Sequence, residues 1–185
     1  MSNLDISDNT PQTVRKMSAQ LRRVGWAGFW LQLILAVIST LIFLFAIPAS
    51  ADAANPGTGG SLLFAIGGVL TLYASTYWSF RYVSIGRKLQ NPDLRPKKAD
   101  TIKVIQMGLM ISTIGMGSSV MGAESIAGTL LGKSLSQSLS LFSADALSKL
   151  IKPLDIFIVL ANTHTITAHF AGIVVSLWLL SRITK

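Results

Sequence analysis

The sequence contains no cysteine. Disulfides, thiolate zinc sites, cysteine-ligated iron–sulfur clusters and thiol catalysis are therefore excluded. Charge is scarce as well: 13% of the residues are charged, against about 25% in an ordinary soluble domain. There are two histidines and eight acidic residues in 185, a thin stock for hydrolytic chemistry. No G-x-S-x-G, H-E-x-x-H or Walker loop occurs. The stretch IGRK at residues 85–88 lacks the other glycines of a phosphate loop. The expectation is that the protein is not an enzyme.

What the sequence has in abundance is apolar length. Half of the residues are hydrophobic and the mean hydropathy is +0.54. The apolar residues gather in four blocks, each compatible with the roughly 20 residues that a bilayer-crossing helix needs. The blocks are too long for barrel strands and do not alternate as such strands do. They predict an all-α membrane protein, a four-transmembrane-helix bundle with helices at about 24–47, 62–83, 104–131 and 154–181. A polar cytoplasmic tail, 1–23, precedes a membrane domain, 24–182. The tail carries Asp5 and Asp8, unlike transit peptides, which avoid acids. Arg22, Arg23 and the later PASADA imitate a secretory signal, but the intervening apolar run exceeds the usual 7–15-residue signal core.

Four crossings put both termini on one side. Arg15, Lys16, Arg22 and Arg23 flank the first block, and Arg81, Arg87, Lys88, Arg95, Lys97, Lys98 and Lys103 connect the second to the third. The 48–61 connection has no Lys or Arg, and the 132–153 connection has only Lys133, Lys149 and Lys152. The positive-inside rule then predicts N-in, C-in. Trp26, Trp30, Trp78 and Trp178 fall near the same interface, where an amphipathic indole is stable. A formal net charge of +8 would suggest nucleic acid in a soluble chain. Here it is assigned to basic loops that set topology and touch anionic lipid, so the lipid bilayer is the expected partner. In the outer connection, Leu135, Leu139, Phe142, Ala146 and Leu150 recur at helical spacing, as in an amphipathic segment on the outer membrane surface or a docking helix.

The fourth block holds ANTHTITAHFAG, residues 161–172. Asp155, Asn162, His169 and Ser176 are each seven apart and share a helix face. That face should point into the bundle, because central polar groups facing lipid cost a few kcal/mol. His164, five residues before His169, lies on another face, so the two imidazoles do not form a metal pair by themselves. On the third block, Gly108, Ser112, Gly115, Ser119 and Gly122 alternate spacings of four and three, a small-residue helix-packing seam. Gln106, Thr113, Gly117 and Glu124 lie on roughly the other side. Two readings follow. Glu124, Asp155, Asn162 and His169 form an ion path, with the carboxylates at the entry, a deeper Asn–His relay, and His169 and Glu124 as metal ligands; or the same residues are polar glue between packed helices. No cofactor is required by the sequence. Iron is the possible one, and chlorophyll or haem on His169 a lesser alternative.

The stretches RRVGWAGFWLQLILAVIS, GAESIAGTLLGKSLSQ and IKPLDIFIVLANTHTITAHFAGIVVSLWLL resemble the small four-helix Tic inner-envelope family of chloroplasts, also called permease in chloroplasts, and its cyanobacterial relatives. The resemblance spans about Arg22 to Arg182. Glu124, Ser136, Gln137, Asp155, Asn162 and His169 match the family pattern, whereas His164 departs from it where Asn is expected. The resemblance implies two plastid roles, protein-import translocon subunit and iron permease, and for a cyanobacterial member a third, accessory or assembly factor for photosynthetic complexes. The acidic tail points to a cyanobacterial member, in the plasma or thylakoid membrane. The leading expectation is a permease-like protein moving iron or another divalent metal, as a homo-oligomer because four helices are few for a transporter. The alternative is a non-catalytic translocon or assembly subunit held by other membrane proteins.

Overall fold

A computed structural model describes residues 11–51, 58–139 and 150–184. Four long helices account for nearly all of them: α1 Gln12–Ala51, α2 Thr58–Lys88, α3 Lys98–Leu139 and α4 Pro153–Thr184. Each contains a stretch long and apolar enough to cross a membrane. The chain is an all-α integral membrane protein.

The helices run up-down-up-down around a square, each packed on its two chain neighbours, with α1 closing onto α4 and α2 touching α4 across the diagonal. One apolar cluster joins Leu21 at the start of α1, Tyr82 and Leu89 at the end of α2, Ile105 at the start of α3, and Leu179 and Ile183 at the end of α4. That cluster gathers the basic ends of all four helices. Two smaller clusters follow toward the other end, Ala36, Leu72 and Ala168, then Phe43, Ala65, Val69 and Ala161.

The helices outrun the apolar blocks. α1 begins at Gln12, ahead of Val24, so residues 12–23, expected as tail, are helical. At 1.5 Å per residue, the 42 residues of α3 reach about 63 Å, twice the roughly 30 Å of a hydrocarbon core. Of the expected outer amphipathic segment, residues 132–139 continue α3 and Leu150 precedes α4, while 140–149 lie outside the described residues. The basic connection between α2 and α3 is tight, a single 3₁₀ turn, Pro92–Leu94, whose Asn91 side chain accepts from the Asp93 N–H at 3.1 Å.

Aromatic side chains mark the basic end. Trp26 stacks on Trp30 at 5.9 Å and meets Phe29 and Phe80 edge-on. Arg81 lies over Trp78 and Arg182 over Trp178, each within 5.5 Å of the ring centroid. Cation–π contact lets these arginines end an apolar helix while keeping their charge toward water.

A buried polar spine between four helices

Glycine and serine let the helices approach, and the approach buries polar groups. All five residues of the α3 seam are buried. Gly108 faces the Tyr82 hydroxyl, Gly115 the His169 imidazole, and Gly122 the backbone of Ala65. On α4, Asn162, Thr165, His169, Gly172 and Ser176 are buried in turn. The stripe expected to face inward does so.

The buried side chains satisfy themselves largely on main-chain carbonyls of other helices. Asn162 donates from Nδ2 to the Ser119 carbonyl at 2.9 Å. Ser39 donates to the Ala161 carbonyl at 2.9 Å, and Ser18 to the Gly86 carbonyl at 2.6 Å. His169 Nε2 lies 3.0 Å from the Gly68 carbonyl. A carbonyl only accepts, so this contact assigns the proton to Nε2 and leaves Nδ1 as a bare acceptor. Nδ1 of His169 and Oδ1 of Asn162 are buried without a hydrogen-bond partner.

At the centre lies a junction that sequence reasoning missed. Gln32 of α1 donates from Nε2 to Ser75 Oγ at 2.8 Å and to the Ala168 carbonyl at 3.3 Å, and its Oε1 accepts from Ser79 at 2.7 Å. Ser75 and Ser112 hydroxyls are 2.7 Å apart. Gly172 of α4 completes the ring, because a side chain there would run into Ser112 and Ser75. One amide thus joins all four helices. Its signal in the sequence was a lone Gln within the first apolar block, of the kind whose cost in lipid demands partners. Closer to the basic end, Tyr82 reaches Ser176 Oγ at 3.0 Å.

The residues expected to form an ion path are not brought together. Asn162 and His169 line the spine, but Glu124 is exposed. It lies nine residues along α3 from Gly115, about 13 Å, on the helix face opposite the seam. A His169–Glu124 metal pair within one chain is therefore ruled out by geometry. Asp155 is held at the mouth of α4: Lys133 Nζ lies 2.8 Å from both carboxylate oxygens, and the Lys152 N–H donates to one of them at 2.9 Å. That second bond is the backward half of a capping box, so Asp155 caps the N-terminus of α4 and ties it to α3. His164 is half-buried, away from the His169 face. Among the described residues no three His, Asp or Glu side chains gather to hold a metal ion. His169 itself is fully buried, with Nε2 on the Gly68 carbonyl.

These features define a polytopic membrane protein whose four spans are joined by a buried, hydrogen-bonded core. The chain belongs to the DUF3611 family, described as a protein of unknown function, whose pattern matches residues 11–184. It is similar to "Protein TIC 21, chloroplastic" of Arabidopsis thaliana, 32% identical over 178 residues that cover 92% of this chain. The chain spans about 59% of the length of that relative. No solved structure matches it.

Proposed function

We propose that the protein is a permease-like subunit of a homo-oligomer in a cyanobacterial membrane. In this reading its cargo, iron or another divalent cation, passes between copies along the outward face of α3, and no step is enzymatic. The supporting observation is the placement of Glu124. Its neighbour Gly122 is level with Asn162, and the sixteen residues from Asn162 to Trp178 rise about 24 Å, less than the thickness of the hydrocarbon core. Glu124, two residues farther along α3, lies about 27 Å from the Trp178 level, inside the outer edge of the hydrocarbon core, and a second copy removes the remaining cost of facing it to lipid. Gly117 and Gly128 flank it on the same face, with open space where a Cβ would stand, so another helix can approach closely. Carboxylate oxygen suits hard and intermediate divalent ions. The spine's side chains pack on and hydrogen-bond to the facing helices, which favours a route between copies over one through a single bundle.

The same outward face favours a second reading, in which a different membrane protein covers it and the chain is a translocon or assembly subunit. Reconstitution separates the two. In liposomes carrying the full chain, the permease reading expects protein-dependent Fe²⁺ or Mn²⁺ uptake that Glu124→Gln lowers at least tenfold while folded His169→Ala retains it. Uptake absent from the wild type, or indifferent to Glu124, rejects it. Stoichiometric co-purification of another membrane protein is then expected.

A further inference from the structure

A cavity of about 350 Å³ opens at the basic end of the bundle, between the first turns of α1, the α2–α3 connection and the last turn of α4. Its wall is divided by chemistry. Arg95, Lys98 and Arg182 supply three cations, and Val14, Met17 and Ile183 supply apolar surface beside them. Among the described residues, no acidic side chain lines it. Arg95 is anchored by its Nε, which donates to the Leu89 carbonyl at 3.4 Å, and Arg182 by its ring contact with Trp178. Thr101, buried, adds a hydroxyl to the lining. α3 begins at Lys98, so the positive end of its dipole lies at the same wall.

Three cationic residues lining one concavity raise its potential, and an anion there is favoured. Guanidinium groups match phosphate oxygens in pairs. The position is equally specific: the cavity sits beside the tryptophan belt that marks a membrane interface, with an apolar side for a glycerol or acyl stem. We propose that this cavity binds the phosphate of an anionic lipid headgroup, one lipid per chain, and so pins the α2–α3 connection, the first turns of α1 and the last turn of α4 to the leaflet. Basic pockets between membrane helices are suited to this recognition.

The test uses the full chain, purified in mild detergent and delipidated, then titrated with phosphatidylglycerol or phosphatidylcholine and read by native mass spectrometry. One phosphatidylglycerol should remain bound, preferred over phosphatidylcholine at least tenfold. Arg95→Gln with Arg182→Gln should lose that preference. Arg87→Gln with Lys88→Gln removes the same charge from exposed positions at the same end and should keep it. Equal retention of the two lipids by the wild type overturns the proposal without reference to any variant, so a double variant that fails to fold does not shelter it. Equal losses in the two double variants also overturn it, because diffuse surface charge then suffices. Inorganic phosphate is the third arm: millimolar phosphate that displaces the lipid assigns the cavity to a free anion and overturns the lipid assignment.

Discussion

Gly115 and His169 share one slot at the α3–α4 interface: the imidazole occupies the space that any side chain at 115 would need. The ring is fully buried, with Nε2 on the Gly68 carbonyl. Gly115→Ala should therefore cost about 1–3 kcal/mol through overpacking, read as a fall in melting temperature in detergent. His169→Ala opens the slot, so the double variant should lose less than the two single losses added together. Simple additivity would show that the two positions do not touch.

Gln32 is the amide on which the central junction closes. Gln32→Ala leaves Ser79 Oγ without its acceptor and the Ala168 carbonyl without the amide donor, and it opens a cavity. A loss of about 1–3 kcal/mol is expected. Gln32→Glu keeps the shape but places an acid on the Ala168 carbonyl and Ser75, and it should not rescue. Wild-type melting in Gln32→Ala would mean that the junction contributes little to holding the helices together.

The Lys133–Asp155 pair is about one-fifth exposed on each side, between the regimes of a screened surface pair and a buried one. Lys133→Ala should destabilise by about 1–2 kcal/mol, and Asp155→Ala by more, since it also removes the acceptor for the Lys152 N–H. If both variants melt alike, the capping bond is without consequence. Metal uptake should be unaffected by Asp155→Asn once the amount of folded protein is equalised.

Because the chain lacks cysteine, a single introduced cysteine reports contacts between copies without background. Gly117→Cys, on the outward face of α3, should give disulfide-linked dimers in native membranes. Leu44→Cys, exposed on α1 at the opposite corner of the square, should not. Equal cross-linking of both would point to random collision.

Much of this architecture was legible in the sequence. The four spans are long, and apolar length is a signal that no local context reverses. The alternation of four and three from Gly108 to Gly122 falls on buried positions, and so does the heptad from Asp155 to Ser176 except for Asp155, which is half-buried. Glu124 was also placed opposite the seam. Pairing across the bundle was not legible. Gln32 stands in a buried heptad of α1 with Ser18, Gly25 and Ser39, but that spacing does not say what it bonds to; its three partners come from α2 and α4. Lys133 looked like a loop cation because the apolar block ended before it, whereas α3 continues as a helix past the apolar run and brings it onto Asp155. The Lys133 contact of Asp155 was illegible for the same reason: a carboxylate's neighbours across the bundle are set by helix length and rotation, neither of which hydropathy measures.

The acceptors of Ser18, Gln32, Ser39, Asn162 and His169 include main-chain oxygens of Gly86, Ala168, Ala161, Ser119 and Gly68. A carbonyl is the same whatever residue carries it. Across relatives, the donor positions should keep their chemistry, while at the acceptor positions the bond itself selects no side chain and only packing, as at Gly68 and Gly86, limits the choice. Methods that find neighbours through correlated substitution will therefore be blind to these bonds, and the contacts that fix how the helices turn toward one another will leave a one-sided trace in the family's sequences.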